Sequence, residues 1–195
     1  MLNKQVLINI FKKLFEEAKN SYDEFNSADG KIGDGDLGVS ILHGLEEVNN
    51  NINKFSNDLG ANFMLCSQAF VKKSGSSFGT LIAFSFMNIS KNLKGKSECN
   101  HDDIIFIFET ALKTILERGK TNLGDKTIAD SLDLIVKELK NNQDYSYVFK
   151  SATKQALEDF KGRKIKIGRA RMFEDKTKDL DDPGMFALNR LTKAF

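Results

Sequence analysis

The sequence predicts an all-α protein of about eight helices, and three observations predict it. Apolar residues recur at three- and four-residue spacing through most of the chain, the period of a helix with one buried face. One proline and no tryptophan occur in 195 residues, which leaves long stretches free to run as uninterrupted helix. The segments between the periodic stretches are polar and contain glycine, as helix-to-helix connections do.

The elements follow in order. Val6, Leu7, Ile10, Phe11, Leu14 and Ala18 define a first amphipathic helix reaching about Phe25. After a glycine-rich loop, a second helix runs from about Gly38 to Lys54. Two apolar helices cover roughly 58–72 and 77–93, with the turn Ser74-Gly75-Ser76-Ser77-Phe78-Gly79-Thr80 between them. Asp102 to Arg118 repeats the pattern through Ile104, Ile107, Phe108, Ala111 and Ile115. Its core, residues 104–108, also reads as a buried strand, but the sustained period favours helix. Gly119 stops that helix as a C-terminal cap. The next begins near Thr127 with Asp130 in its first turn, and another covers about 145–161. A basic, irregular stretch, 161–171, holds six cations and no acid. The chain closes on Asp181-Asp182-Pro183-Gly184 and a final helix. No strand is expected.

Composition narrows the function. Hydrophobic residues make up 41% and charged residues 29%, the balance of one globular domain spanning 1–195. A net charge of +2 gives no general argument for nucleic-acid binding. Charges break the N-terminal apolar run before a secretory core forms, and no segment has the charge-free length of a membrane span. Cys66 in an apolar stretch and Cys99 in a polar loop suggest no disulfide framework, so a reducing, cytoplasmic setting is expected.

The chemistry concentrates in Asp29-Gly-Lys-Ile-Gly-Asp34-Gly-Asp36-Leu-Gly38. Three carboxylates lie within eight residues, interleaved with glycines, just ahead of a helix. Hard oxygen ligands beside a helix N-terminus suit Mg²⁺ with a phosphate partner. The EF-hand loop is excluded by register. Counted from Asp29, its third, fifth and twelfth positions are Lys31, Gly33 and Ser40; counted from Asp34, the fifth and twelfth are Gly38 and Leu45. Walker loops fail as well, because Ser90 and Thr114 stand where the leading glycine is required. No protein-kinase loop set is present. His43, inside a helix, and His101, at a helix start, read as surface or capping residues.

Four separated blocks together resemble the nucleotide-binding (DhaL-type) subunits of dihydroxyacetone kinases. These are Asp29-x4-Asp34-Gly-Asp36-x-Gly38; Ser74-Gly75 with Phe78-Gly79-Thr80; Gly124-Asp125-Lys126-Thr127 with Asp130; and Gly168-Arg169-Ala170 with Asp182-Pro183-Gly184. The resemblance implies an eight-helix barrel with a nucleotide site at one end. It implies ADP, or ATP, with two Mg²⁺ ions carried by Asp29, Asp34 and Asp36. Backbone N–H groups along Leu37, Gly38, Val39 and Ser40 would meet the phosphates, and Ser74, Gly75 and Ser76 would cover them. Gly119 and Ile128 fall on the base-binding side, and Arg169 with Asp182, Pro183 and Gly184 would close the site. No catalytic residue beyond the metal–phosphate site is implied on this chain. The hydroxyketone would sit on a partner (DhaK type), with phosphate supplied by a phosphocarrier (DhaM type). A transcription regulator is a further implied partner, and a homodimer is expected. Leu37 and Val39 depart from the family's usual His and Thr. That departure motivates an alternative, a nucleotide-sensing module without turnover; an ATP-dependent subunit is the other.

Overall fold

The computed structural model describes residues 1–195 and contains nine α-helices. They are α1 (Lys4–Asn20), α2 (Tyr22–Gly30), α3 (Leu37–Asn50), α4 (Leu59–Lys73), α5 (Ser77–Asn92), α6 (His101–Gly119), α7 (Ile128–Leu139), α8 (Tyr145–Asp159) and α9 (Pro183–Leu191). The all-α expectation holds. From α2 to α9 each helix packs on the next except at the α2–α9 seam, where the first and last close the ring, so eight helices form a barrel. Helix α1 packs against α3 and α9 and buries Leu7, Phe11 and Ala18 in the same core.

The ninth helix arises where the first predicted one breaks. Ser21 has φ −102° and ψ 6°, off helical values, and its hydroxyl donates to Glu17 Oε1 at 3.0 Å. A serine side chain competes with the backbone for local hydrogen bonds, so the chain turns here at little cost. The turn swings Phe25 into the core against Phe186 of α9, ring centroids 6.4 Å apart. It also places Asp29 in the last turn of α2 instead of in an open loop.

Two local expectations change. A short antiparallel ladder pairs β1 (Leu2–Asn3) with β2 (Glu98–Cys99), Leu2 opposite Cys99. Two-residue strands are too short to show any alternation, so sequence gave no sign of them. Pairing also buries Cys99 fully, correcting its placement in a polar loop. At the end of α6 the left-handed residue is Lys120 (φ 50°, ψ 44°), not Gly119, which stays helical.

Capping explains most helix starts. Asn3, Asp58, Ser76, Asn100, Thr127, Asp144 and Asp182 each accept a backbone N–H of the turn they open. Asn100 with Asp103, and Thr127 with Asp130, complete capping boxes, which settles residues 104–108 as helix. One main core, running from Leu2 to Ala187, fills the barrel. A small separate cluster of Ile32, Ile165 and Ala170 packs the segment after α8 onto the loop after α2.

Candidate functional site

Six stretches of the chain converge on one cleft of about 420 Å³ at an end of the barrel. Of the residues picked out in the sequence, Asp29, Asp34, Asp36, Leu37, Gly75, Ser76, Gly119, Ile128, Arg169, Asp182, Pro183 and Gly184 all line it. Residues 31–36, the turn before α5, the end of α6, the start of α7, the 167–170 stretch and the start of α9 each contribute. Sequence spacing alone could not bring these together, since the blocks lie as much as 150 positions apart (Asp34 to Gly184).

Asp29, Asp34 and Asp36 each offer a carboxylate oxygen, all within 4.8 Å of one another. Asp29 Oδ2 accepts the N–H groups of Gly35 (2.8 Å) and Asp36 (3.1 Å), which folds the loop around it. A Cβ on Gly33 would overlap the Asp29 carboxylate, so glycine is required for that fold. Burial first, then the charges of Asp34 and Asp29, hold the Asp36 carboxyl above its usual range, with Arg169 opposing. The like charge crowded at Asp36 is what a divalent cation would relieve. Arg169 partly does so here through its ion pair with Asp34.

The start of α5 offers the complementary chemistry. The N–H groups of Gly75, Ser76, Ser77 and Phe78 have no acceptor within the protein, while Ser76 Oγ caps Gly79 N at 3.1 Å. Ser74 Oγ is buried without any hydrogen-bond partner. A side chain at Gly75 would meet nothing within 4 Å, so its absence leaves open space beside those donors. Free N–H groups, an orphaned hydroxyl and an open approach fit an anionic ligand next to the carboxylates. The opposite wall is apolar, with Leu81, Ile115, Ile128 and Pro183.

Four expected contacts lie elsewhere. Gly38, Val39, Ser40 and Ser74 are outside the cleft lining. Asn26 Oδ1 accepts Gly38 N (2.8 Å) and Val39 N (3.4 Å), and Asp36 O accepts Ser40 N (2.9 Å). Gly38 N and Val39 N are therefore already satisfied from α2, and Ser40 N from Asp36. Gly38 is small because a Cβ would run into the Tyr22 carbonyl and Asn26. Ser40 Oγ donates to Ser76 Oγ at 2.6 Å and so braces the α5 turn from behind.

The Gly124–Thr127 block is mostly a structural knot. Asp125 accepts from Asn122 N (2.8 Å) and Thr121 Oγ1 (3.2 Å), and Asp130 from Gly124 N (2.6 Å) and Thr127 N (2.8 Å). Only Thr127 of the block reaches the cleft. Asp182 at the α9 N-terminus accepts Met185 N at 2.9 Å, and burial of its carboxyl raises its pKa to about 7. Sequence reasoning did not single out Ile32, Leu81, Ile115 or Ile167 as cleft residues, because apolar residues in helices and loops carry no chemical signature. The two histidines stay away from the cleft. His101 bridges Tyr145 OH (3.0 Å) and the Leu139 carbonyl (2.8 Å), tying α6 to α7 and α8.

A closed helical ring with a carboxylate cluster and a free helix N-terminus in one cleft defines an all-α protein with a candidate cation–anion site. The chain belongs to the DAK2 domain family, which matches residues 31–195, so Asp29 lies just ahead of the matched span. It is 28% identical over 181 residues to the PEP-dependent dihydroxyacetone kinase 1, ADP-binding subunit DhaL of Listeria innocua, covering 92% of this chain and 87% of that one. It is 30% identical over 122 residues to the corresponding kinase 2 subunit of the same organism, covering 61% and 56%. The fold matches the crystal structure of the C. freundii dihydroxyacetone kinase in complex with AMP-PNP and Mg²⁺, with a TM-score of 0.77 at 21% identity. All of this chain is covered there, but only 34% of the longer protein.

Proposed function

We propose that this chain, as one nucleotide-binding domain, is the ADP-binding subunit of a phosphocarrier-dependent dihydroxyacetone kinase. It relays a phosphoryl group to dihydroxyacetone or a related small hydroxyketone held on a partner subunit. The observation that carries this reading is the meeting of Asp29, Asp34 and Asp36 with the unpaired N–H groups of α5 in one cleft. The relatives' names, ADP-binding subunits of PEP-dependent kinases, support the donor arrangement.

On this reading the aspartates hold Mg²⁺, two ions as the family resemblance implies, and the Gly75–Phe78 turn binds phosphate oxygens. Leu81, Ile115 and Ile128 receive the base, beside Gly119, and Asp182–Gly184 close the far wall. Bound nucleotide supplies the phosphoryl group and Mg²⁺ the charge neutralisation, which is most of what such a transfer requires. Arg169 adds a forked cation at the cleft edge. On this reading no catalytic residue beyond the metal–phosphate site is assigned to this chain, and the acceptor hydroxyl is activated on the partner. A sugar-binding subunit, a phosphocarrier subunit, a transcription regulator, self-association into a dimer and a cytoplasmic setting all follow from the same reading. No helix is long and apolar enough to cross a membrane.

Leu37 favours a second reading. It puts an apolar side chain in the cleft directly after Asp36, which suits retention of nucleotide more than transfer. A nucleotide sensor of this kind would bind without turnover.

The deciding experiment is acid unfolding of the purified protein and mass spectrometry of what is released. Near-equimolar ADP supports the relay subunit. Absence of nucleotide after purification in Mg²⁺ leaves ATP as an exchangeable substrate or defeats the reading. Reconstitution with the partner and phosphocarrier then separates relay from sensor by sugar phosphate formed.

A further inference from the structure

Lys126 sits in the conspicuous Gly-Asp-Lys-Thr block, yet it is only 2% exposed and does not line the cleft. Its Nζ donates to the carbonyls of Arg163 (2.9 Å), Thr177 (3.1 Å) and Lys178 (3.4 Å). An ammonium has three N–H donors and no acceptor, so these three carbonyls satisfy it fully. They come from both ends of one segment, and a single side chain therefore closes that segment at its neck. Gly162 N to Lys178 O (3.1 Å) and Ile165 N to Thr177 Oγ1 (3.0 Å) complete the neck. Lys166 adds a second anchor on the same block, through its N–H to Asp125 O and its Nζ to Gly124 O, each 3.1 Å.

Beyond the neck Arg169 pairs with Asp34 and Ala170 packs on Ile32 between the aspartates, with Ile165 of the neck in the same cluster. Inside it Glu174 is held at φ 42° and ψ −117°, a conformation that persists only where surroundings impose it. Burying a cation is costly unless it is fully compensated, and an apolar side chain of similar size would pack as well. A buried lysine here makes sense if it fixes one loop conformation.

We propose that Lys126 is a positioning residue: it latches segment 163–178 at its neck so that Arg169 is held at the aspartate cluster. The functional half rests on the nucleotide reading above; the latch itself does not.

The segment is rich in trypsin sites, so limited trypsin digestion with mass mapping reads the latch directly. In Lys126→Met, cuts within 161–178 accelerate by at least about tenfold while the helical circular dichroism is unchanged. Unchanged cutting in folded Lys126→Met overturns the latch. Should that variant not fold, Lys126→Gln, whose shorter amide loses at least one of the three donors to these carbonyls, decides. Faster cutting confined to 161–178 supports the latch, and wild-type cutting overturns it.

A double-mutant cycle on ADP release in Mg²⁺ reads the functional half. Lys126→Met speeds release by about tenfold, and adding it to Arg169→Ala changes little further. Independent, additive effects overturn action through Arg169. If the wild type holds no ADP, the nucleotide reading fails on its own, and the trypsin result still stands or falls separately.

Discussion

Gly79 lies so close to Ser74 that a Cβ on it would overlap the Ser74 hydroxyl, which is itself buried and without a hydrogen-bond partner. The packing of the α4–α5 turn thus leaves a polar group unsatisfied just behind Gly75 and Ser76, which line the cleft. Gly79→Ala forces that side chain to move and is expected to destabilise the protein by about 1–3 kcal/mol. Ser74→Ala removes an unsatisfied hydroxyl and is expected to be neutral or stabilising by up to about 1 kcal/mol. Denaturant titration of both variants, with equilibrium dialysis of ADP, checks this. Ser74→Ala that keeps stability but binds ADP more weakly identifies the hydroxyl as a ligand group.

Asp36 gives the opposite trade. Its side chain caps nothing, and it sits beside Asp29 and Asp34, whose charges help raise its pKa. Asp36→Asn relieves like-charge repulsion, so the metal-free variant melts at or above the wild-type temperature. Mg²⁺-dependent ADP binding is lost in the same protein. A variant that melts lower without metal, or that still binds ADP in a Mg²⁺-dependent way, contradicts the assignment.

Asp182 sets a pH dependence. Its carboxyl is raised from an ordinary value near 3.8 to about 7, burial outweighing the Met185 and Gly184 N–H groups that stabilise the charged form. Between those values the folded state keeps a proton that the unfolded state has released. The contribution of Asp182 to stability is therefore full below about pH 4 and is lost as pH rises through about 7. Asn retains the helix cap without titrating. The stability of Asp182→Asn relative to wild type is expected to climb from pH 4 to pH 7 and then level, measured by thermal melts across that range. A flat difference refutes the shift.

Lys120 holds a left-handed conformation that its Cβ disfavours, and its side chain is exposed. Lys120→Gly removes that strain and is expected to stabilise by about 1 kcal/mol. Urea unfolding tests it, with ADP binding as the control for the neighbouring cleft.

Much of this architecture was legible in the chain. Helical periodicity placed the helices from α3 onward to within a few residues but read α1 and α2 as one, because each amphipathic stripe is a local consequence of burying one face. The aspartate cluster and three glycine-containing blocks were legible as well, since clustered carboxylates and tight turns need particular residue types. Asn26 was not. An asparagine within a helix has no signature for the two N–H groups of α3 that it satisfies. The Ser21 break was equally hidden, because tertiary packing of Phe25 on Phe186 decides it.

Lys126 draws the line between the two most sharply. The sequence by itself determined an all-α chain with carboxylates and glycine turns between helices. It could not tell whether a lysine in a Gly-Asp-Lys-Thr block faces a ligand or the protein. Only the tertiary structure decided that, by bringing the carbonyls of Arg163, Thr177 and Lys178 to one point. The reason is physical: what an ammonium group does depends on which acceptors surround it, and those come from residues far away in the chain.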